Sequence, residues 1–350
     1  MLSEDDKTRT FVPLNKDTMV SHYRIVEKIG AGGMGEVYLA EDTKLNRRVA
    51  LKFLPVHACQ DADRRSRFTR EAQAAAKLNH PNIVTIYEVS EFSGRPFFAM
   101  EHIDGKSLRD LIKRKGMPLS QIIDIAIQLC EGLQEAHARG IIHRDIKPSN
   151  ISCDGKGHCK ILDFGLAAVR GSDQLTKTGS TLGTASYMSP EQARGEKTDQ
   201  RSDLWSFGVV LYEMVTGKAP FQGENEASIL LSVVNNEPEP VQSAVPDVSP
   251  ELVHIIRRAL EKDPADRYKT AEDMLIDLKR LKKDTSRQGI VTVSGGKRRL
   301  RRRRNMIIAA SLLVVLGVAG YLYYSNTGVE LNPNFTSRWI EIPYSNLGWA

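Results

Sequence analysis

Cysteine is scarce in this sequence, four among 350 residues, and Cys59, Cys130, Cys153 and Cys159 form no CxxC pair and share no histidine spacing of a zinc site. A disulfide scaffold and a zinc ribbon lose their support, and reduced, unbridged thiols are expected. An apolar N-terminal run is also missing. The opening MLSEDDKTRTF is polar and acidic, so no secretory signal exports the first half of the chain. No period of about 20 to 50 residues recurs, which argues against a solenoid or propeller. Excess charge is absent from most of the chain as well. The formal charge is +6, but Lys297–Arg304 supplies seven positive charges and Asn305–Ala350 one net negative, so Met1–Gly296 is neutral. Nucleic-acid binding by the main body is not expected.

The 41% hydrophobic and 26% charged composition suits a folded protein with a sizeable core. After a polar tail at 1–22, YRIVEKIGAGGMGEVYLAEDTKLNRRVALKFL from Tyr23 alternates apolar and polar residues in three runs, read as antiparallel strands. Helical spacing of Phe68, Ala72, Ala75 and Leu78 predicts a helix over Arg64–Leu78. Two more strands are predicted at Ile83–Val89 and Phe97–Glu101. From Ser120 the spacing is helical, with later helices at Ser202–Thr216 and Glu251–Leu260. The expected fold is α+β and two-lobed: a small antiparallel sheet carrying one helix, then a larger, mainly helical lobe.

Several motifs carry chemistry. Gly30, Gly32 and Gly35 with Val37 give GxGxxGxV between two strands, where glycine lets backbone lie over phosphates and Val37 can close on a base. A plain glycine hairpin is the bland alternative; a Rossmann turn is disfavoured because a strand follows. Lys52, in Val49-Ala50-Leu51-Lys52, lies on the next strand and needs a carboxylate partner there, for which Glu71 is the candidate. His143-Arg144-Asp145-Ile146-Lys147-Pro148-Ser149-Asn150 and, after a hairpin-like stretch, Asp163-Phe164-Gly165 complete the set.

In this order and spacing these motifs resemble the protein kinase family over roughly Tyr23–Lys283, a domain expected at 23–283. The resemblance implies that Asp145 is the catalytic base and that Lys147 marks serine/threonine specificity. It implies that Asn150 and Asp163 hold magnesium. ATP would lie against Ile29, Gly30, Ala31, Gly32, Gly33, Met34, Gly35, Glu36, Val37, Lys52 and Glu71, with Met100 as gatekeeper and Glu101 to Ile103 as hinge. Glu191 would pair with Arg267, and Asp203 would brace the catalytic loop. Ser189 stands where the family usually has alanine. Arg144 implies activation by phosphorylation, for which Thr176, Thr178, Ser180 and Thr181 are candidates. REAQAAAKLNHPNIV, YMSPEQARG and RSDLWSFGVVLYEMVTGKAPF are similar to bacterial transmembrane kinases of the Hanks type. The rivals are a pseudokinase scaffold, which the presence of Lys52, Asp145, Asn150 and Asp163 disfavours, and a small-molecule kinase, which the Ser189-Pro190-Glu191 loop disfavours.

Met306–Tyr324 carries no charge and would span about 28 Å as a helix, near the ~30 Å hydrocarbon core, so a single transmembrane helix is expected at 306–324. A buried core helix is the alternative. The basic run before it places the preceding domain in the cytoplasm, on an inner-membrane protein, and explains itself better there than as a nuclear signal. The linker at 284–305 is expected to bind anionic lipid, and two tethered copies could dimerise and phosphorylate in trans. The tail at 325–350 is too short for a packed domain, so either the chain is a fragment or it ends in a docking peptide. Protein substrates, ATP and magnesium are the implied partners and cofactors.

Overall fold

A computed structural model describes residues 14–32, 35–113, 117–164 and 184–285. The expected membrane span, its flanking linker and its tail lie outside them. Among the described residues no helix is long and apolar enough to cross a membrane.

Six antiparallel strands form the upper sheet in the order β1-β2-β3-β4-β6-β5: β1 (Met19–Val20), β2 (Tyr23–Gly32), β3 (Gly35–Asp42), β4 (Arg47–Phe53), β5 (Ile86–Phe92) and β6 (Arg95–Glu101). Successive side chains of a strand point to opposite faces. Val49, Leu51 and Phe53 of β4 accordingly join Tyr23, Ile25, Tyr38, Phe97 and Ala99 in one apolar cluster. Ala50 joins Phe98 and Met100 in another, on the side of helix α1 (Ala62–Ala75), which contributes Phe68 and Ala72. Lys52 shares the parity of Ala50 and so belongs to the α1 side of the sheet.

Several boundaries differ from the sequence reading by a few residues, and two of the differences have a visible cause. Helix α1 begins two residues early because Asp61 caps it, accepting from Arg64 N at 3.0 Å. Ile83 and Val84 are not in β5, which begins at Ile86. Instead Val84 N donates to Ile161 O at 3.0 Å and Ile161 N to Asn82 O at 2.9 Å, tying the upper lobe to the lower. An apolar run shows that it is buried but not which edge it pairs with.

The lower lobe is helical: α2 (Leu108–Ile112), α3 (Leu119–Ala138), α4 (Pro190–Ala193), α5 (Gln200–Thr216), α6 (Glu226–Asn235), α7 (Val241–Ala244), α8 (Pro250–Ala259) and α9 (271–285). Helix α5 is apolar nearly all round because it lies inside this lobe, with Leu204, Trp205, Phe207, Val209, Val210 and Leu211 fully buried. It stops at Gly217, whose φ of 77° suits glycine best. A small sheet of β7 (Gly105–Ser107), β8 (Ile151–Asp154) and β9 (Cys159–Ile161) lies beside α3.

The expectation of four unbridged thiols is corrected here. Cys153 and Cys159 are direct partners across β8 and β9, with Cα atoms 4.1 Å apart, and form a disulfide. The turn at 154–158 sets that register, and a search for CxxC could not reveal it. Cys130 remains a buried thiol.

Candidate active site

Three local structures converge between the lobes. The first is the β2–β3 hairpin bearing the glycine motif. A Cβ added at Gly30 would come no nearer than 3.7 Å to another atom, and one at Gly32 would meet nothing within 4 Å. Packing inside the protein therefore does not require these glycines, and the space they leave is open to a ligand. Gly35 is different: its φ is 134°, and a Cβ would stand 2.1 Å from Phe53 O, so the strand must pass β4 without a side chain. Ile29 and Ala31 flank these positions on β2, and Val37, Ile103 and Leu162 pack against the cluster that holds Ala50 and Met100. Gly33 and Met34 lie outside the described residues.

The second is Lys52 and its partner. Lys52 is buried, and its Nζ stands 2.7 Å from Asp163 Oδ2. The predicted Lys52–Glu71 pair is not formed: Glu71 Oε2 is buried with no hydrogen-bond partner. Burial pushes the Glu71 carboxyl up to about 7, against the opposing pull of Arg144, Arg70 and Arg67. A carboxyl with a raised folded pKa favours its arrangement while protonated, fully below the ordinary value of 4.5, and that preference is lost as pH rises through about 7. Carboxyl-carbon NMR of the nucleotide-free chain should therefore give a Glu71 midpoint near 7. A midpoint below about 5 would mean that Glu71 is paired with a cation in solution.

The third is the catalytic-loop octet. Its backbone is held from below by Asp203, whose carboxylate accepts from His143 N at 2.8 Å, Arg144 N at 2.7 Å and His137 Nε2 at 2.8 Å. Burial alone would raise the Asp203 carboxyl, but the hydrogen bond and charge of His137, with His143, hold it below the usual range. Arg144 adopts φ 65° and Asp163 φ 60°, left-handed conformations at both sides of the cluster. His143 Nε2 lies 2.7 Å from Leu162 O, and its ring meets Phe164 edge-on at 4.7 Å, joining the octet to the segment that bears Asp163. Within the octet, Lys147 Nζ donates to both oxygens of Asp145, at 2.7 and 3.0 Å. Asn150 Nδ2 donates to Asp145 O at 2.9 Å and Oδ2 at 3.1 Å, which leaves the amide oxygen to serve as a ligand.

The hinge residue Glu101 accepts from Lys160 at 2.9 Å, so its side chain is engaged within the protein. Glu191 and Arg267 form a buried two-pronged pair with both N–O distances 2.8 Å. Ser189 turns out to be more than a small substitute. It caps α4, accepting from Gln192 N at 3.3 Å, while Gln192 Oε1 accepts from Ser189 N at 3.0 Å. Gln192 Nε2 then donates to Arg144 O at 2.9 Å, bridging the Pro190–Glu191 segment to the catalytic loop. The S-x-x-Q pattern is a capping-box signature that could have disclosed the first half of this arrangement. Thr176, Thr178, Ser180 and Thr181 lie outside the described residues.

A strand lysine paired with an aspartate, an acid–lysine–amide cluster and an open glycine hairpin make a cleft suited to phosphate groups, between two lobes of kinase-like architecture. The comparisons agree. Residues 23–277 match the protein kinase domain family. The chain is 43% identical over 265 residues to the serine/threonine-protein kinase PknB of Mycobacterium leprae, covering 74% of this chain and 43% of that protein. It is 40% identical over 278 residues to the probable serine/threonine-protein kinase PknB of Corynebacterium glutamicum, covering 76% and 43%. The crystal structure of the Mycobacterium tuberculosis PknI kinase domain superposes with a TM-score of 0.62 at 26% identity, over 77% of this chain and 99% of that one. The chain belongs to the protein kinase family, in its bacterial Hanks-type serine/threonine branch. It spans less than half the length of the curated relatives named here.

Proposed function

We propose that the chain transfers the γ-phosphoryl group of ATP, with magnesium, to serine and threonine hydroxyls of proteins, its own activation segment included. The observation that carries this reading is the Asp145 carboxylate, held by Lys147 and Asn150 beside the Lys52–Asp163 pair.

The hard oxygen donors Asp163 Oδ and Asn150 Oδ1 fit magnesium, which prefers oxygen ligands. Bound there, the ion would neutralise charge on the phosphates. Lys52 would turn from Asp163 to the phosphate oxygens, under backbone supplied by Gly30, Ala31 and Gly32. Asp145 would orient the substrate hydroxyl and accept its proton, while Lys147 keeps that carboxylate pointed and steadies charge on the moving phosphoryl group. Such catalysis is mostly positioning, and Asp203 and Gln192 supply it by fixing the backbone just before Asp145.

We also propose that Met306–Tyr324 anchors the chain in a membrane with the kinase domain in the cytoplasm. The basic linker then lies against anionic lipid, and neighbouring copies phosphorylate one another at the Thr176–Thr181 stretch. The support is the uncharged run and the basic residues before it.

The test is transfer of γ-labelled phosphate from ATP by the full chain with magnesium, with modified residues mapped. Label on serine or threonine supports the reading. ATP binding without label would make the chain a binding scaffold. Extraction at alkaline pH tests the anchor, which is refuted if the chain leaves the membrane fraction.

A further inference from the structure

Arg95, at the start of β6, is a charged residue with a nearly buried side chain, 6% exposed, and none of the motifs explains it. Its guanidinium is engaged through two of its nitrogens. Nε donates to Leu54 O at 2.7 Å, just past the end of β4, and the group lies 5.0 Å from the centre of the Phe53 ring. Nη2 donates to the carboxylate of Glu36. Arg95 therefore reaches past the end of β4 to grip the first residues of β3.

Glu36 is where that grip matters. It directly follows Gly35, where the chain passes against Phe53 O, and its Cα is in register with Phe53 on one side and Ala31 on the other. Its other oxygen takes Lys28 from β2. Burial works against the Glu36 charge, but the hydrogen bonds from Lys28 and Arg95 hold its carboxyl below the usual range. Lys28 is exposed and joins two strands of the same hairpin. Of the two basic partners of Glu36 among the described residues, Arg95 is the one that ties the hairpin to a strand outside it. The next residue, Val37, is in register with Lys52. A shift of the hairpin tip would thus move both the glycine backbone and Val37 relative to the lysine.

We propose that Arg95, acting through Glu36, is a positioning residue for nucleotide binding, holding the tip of the glycine-rich hairpin at its working distance above Lys52. The inference rests on ATP being the phosphoryl donor. Turnover by the unaltered chain tests that reading separately, before any variant is considered.

Steady-state kinetics on the full chain against varied ATP test the role. Arg95→Met is expected to raise the KM for ATP about tenfold, with kcat at saturating ATP within about twofold, because chemistry below the hairpin is untouched. Glu36→Gln should act alike. The double variant should be no worse than either single one, since both remove the same tether. Arg95→Lys should fall between, because one ammonium replaces a fork that serves two acceptors. Lys218→Met, which breaks an exposed pair with Glu239, should change neither constant. If circular dichroism shows Arg95→Met to be unfolded, Arg95→Lys and Glu36→Gln carry the test. An unchanged KM in the folded variants, a fall in kcat at constant KM, or single effects that multiply in the double variant would overturn the proposal.

Discussion

Asp145→Asn should lower kcat by about 10² to 10⁴-fold, the usual contribution of a general base, while leaving the KM for ATP within about twofold. The size of the effect follows from the contacts. Asp145 accepts from Lys147 Nζ on both oxygens and from Asn150 Nδ2 on Oδ2. An asparagine keeps the shape but turns an NH2 group toward one of those donors, so the amide is misoriented as well as unable to take a proton. Lys52, Asp163 and the glycine hairpin are untouched, hence the small change expected in ATP affinity. Quantified label transfer at saturating ATP checks this. Activity above about a tenth of the original would show that Asp145 orients the hydroxyl but is not needed as a base.

Arg267→Ala should destabilise the lower lobe by about 3 to 5 kcal/mol, the range for removing one partner of a buried ion pair. Arg267 is 1% exposed and Glu191 4%. The arginine also donates to Glu261 O at 2.7 Å and Lys262 O at 2.9 Å and lies 5.0 Å from the Trp205 ring. Its loss leaves the Glu191 carboxylate without a cation, with Ser202 Oγ at 2.7 Å and its own backbone N–H as remaining donors. A melting temperature lower by about 10 °C is expected for a domain of this size. Burial alone would raise the Glu191 carboxyl, but Arg267 and Ser202 hold it below its ordinary value. A depressed carboxyl contributes stability above its unfolded pKa of about 4.5 and loses it as pH falls through the folded value. The penalty of Arg267→Ala should accordingly shrink in acid. The paired replacement Glu191→Leu with Arg267→Met should recover much of the loss, because it leaves no buried charge. A loss under about 1 kcal/mol for Arg267→Ala would show that water reaches the pair in solution.

Much of this arrangement was legible in the sequence. Period-2 alternation gave the strands that carry the glycine motif and Lys52, and period 3.6 gave α3, α5 and α8. The octet from His143 to Asn150 is contiguous, so its order alone brought Asp145, Lys147 and Asn150 together. What escaped was of two kinds. Lys52 has two candidate carboxylates, and the choice of Asp163 over Glu71 depends on where α1 sits, which no local pattern encodes. Cross-strand partnerships escaped as well: Cys153 with Cys159 and Arg95 with Glu36 are set by hairpin register and by the end of β4. A one-dimensional reading sees a lone charge in an apolar run at Arg95 and cannot say what it faces.

The hydrogen bonds around the catalytic loop are unevenly distributed about the cleft. Below the cleft, Asp203, Gln192 and His143 leave the octet's backbone little freedom, and its amides should exchange with solvent among the slowest in the chain. Above it, Glu71 keeps a buried oxygen with no partner, so that side of the cleft lacks a comparable brace at α1. The two walls of the cleft are therefore held unequally, and mild denaturant should loosen the α1 side before the octet.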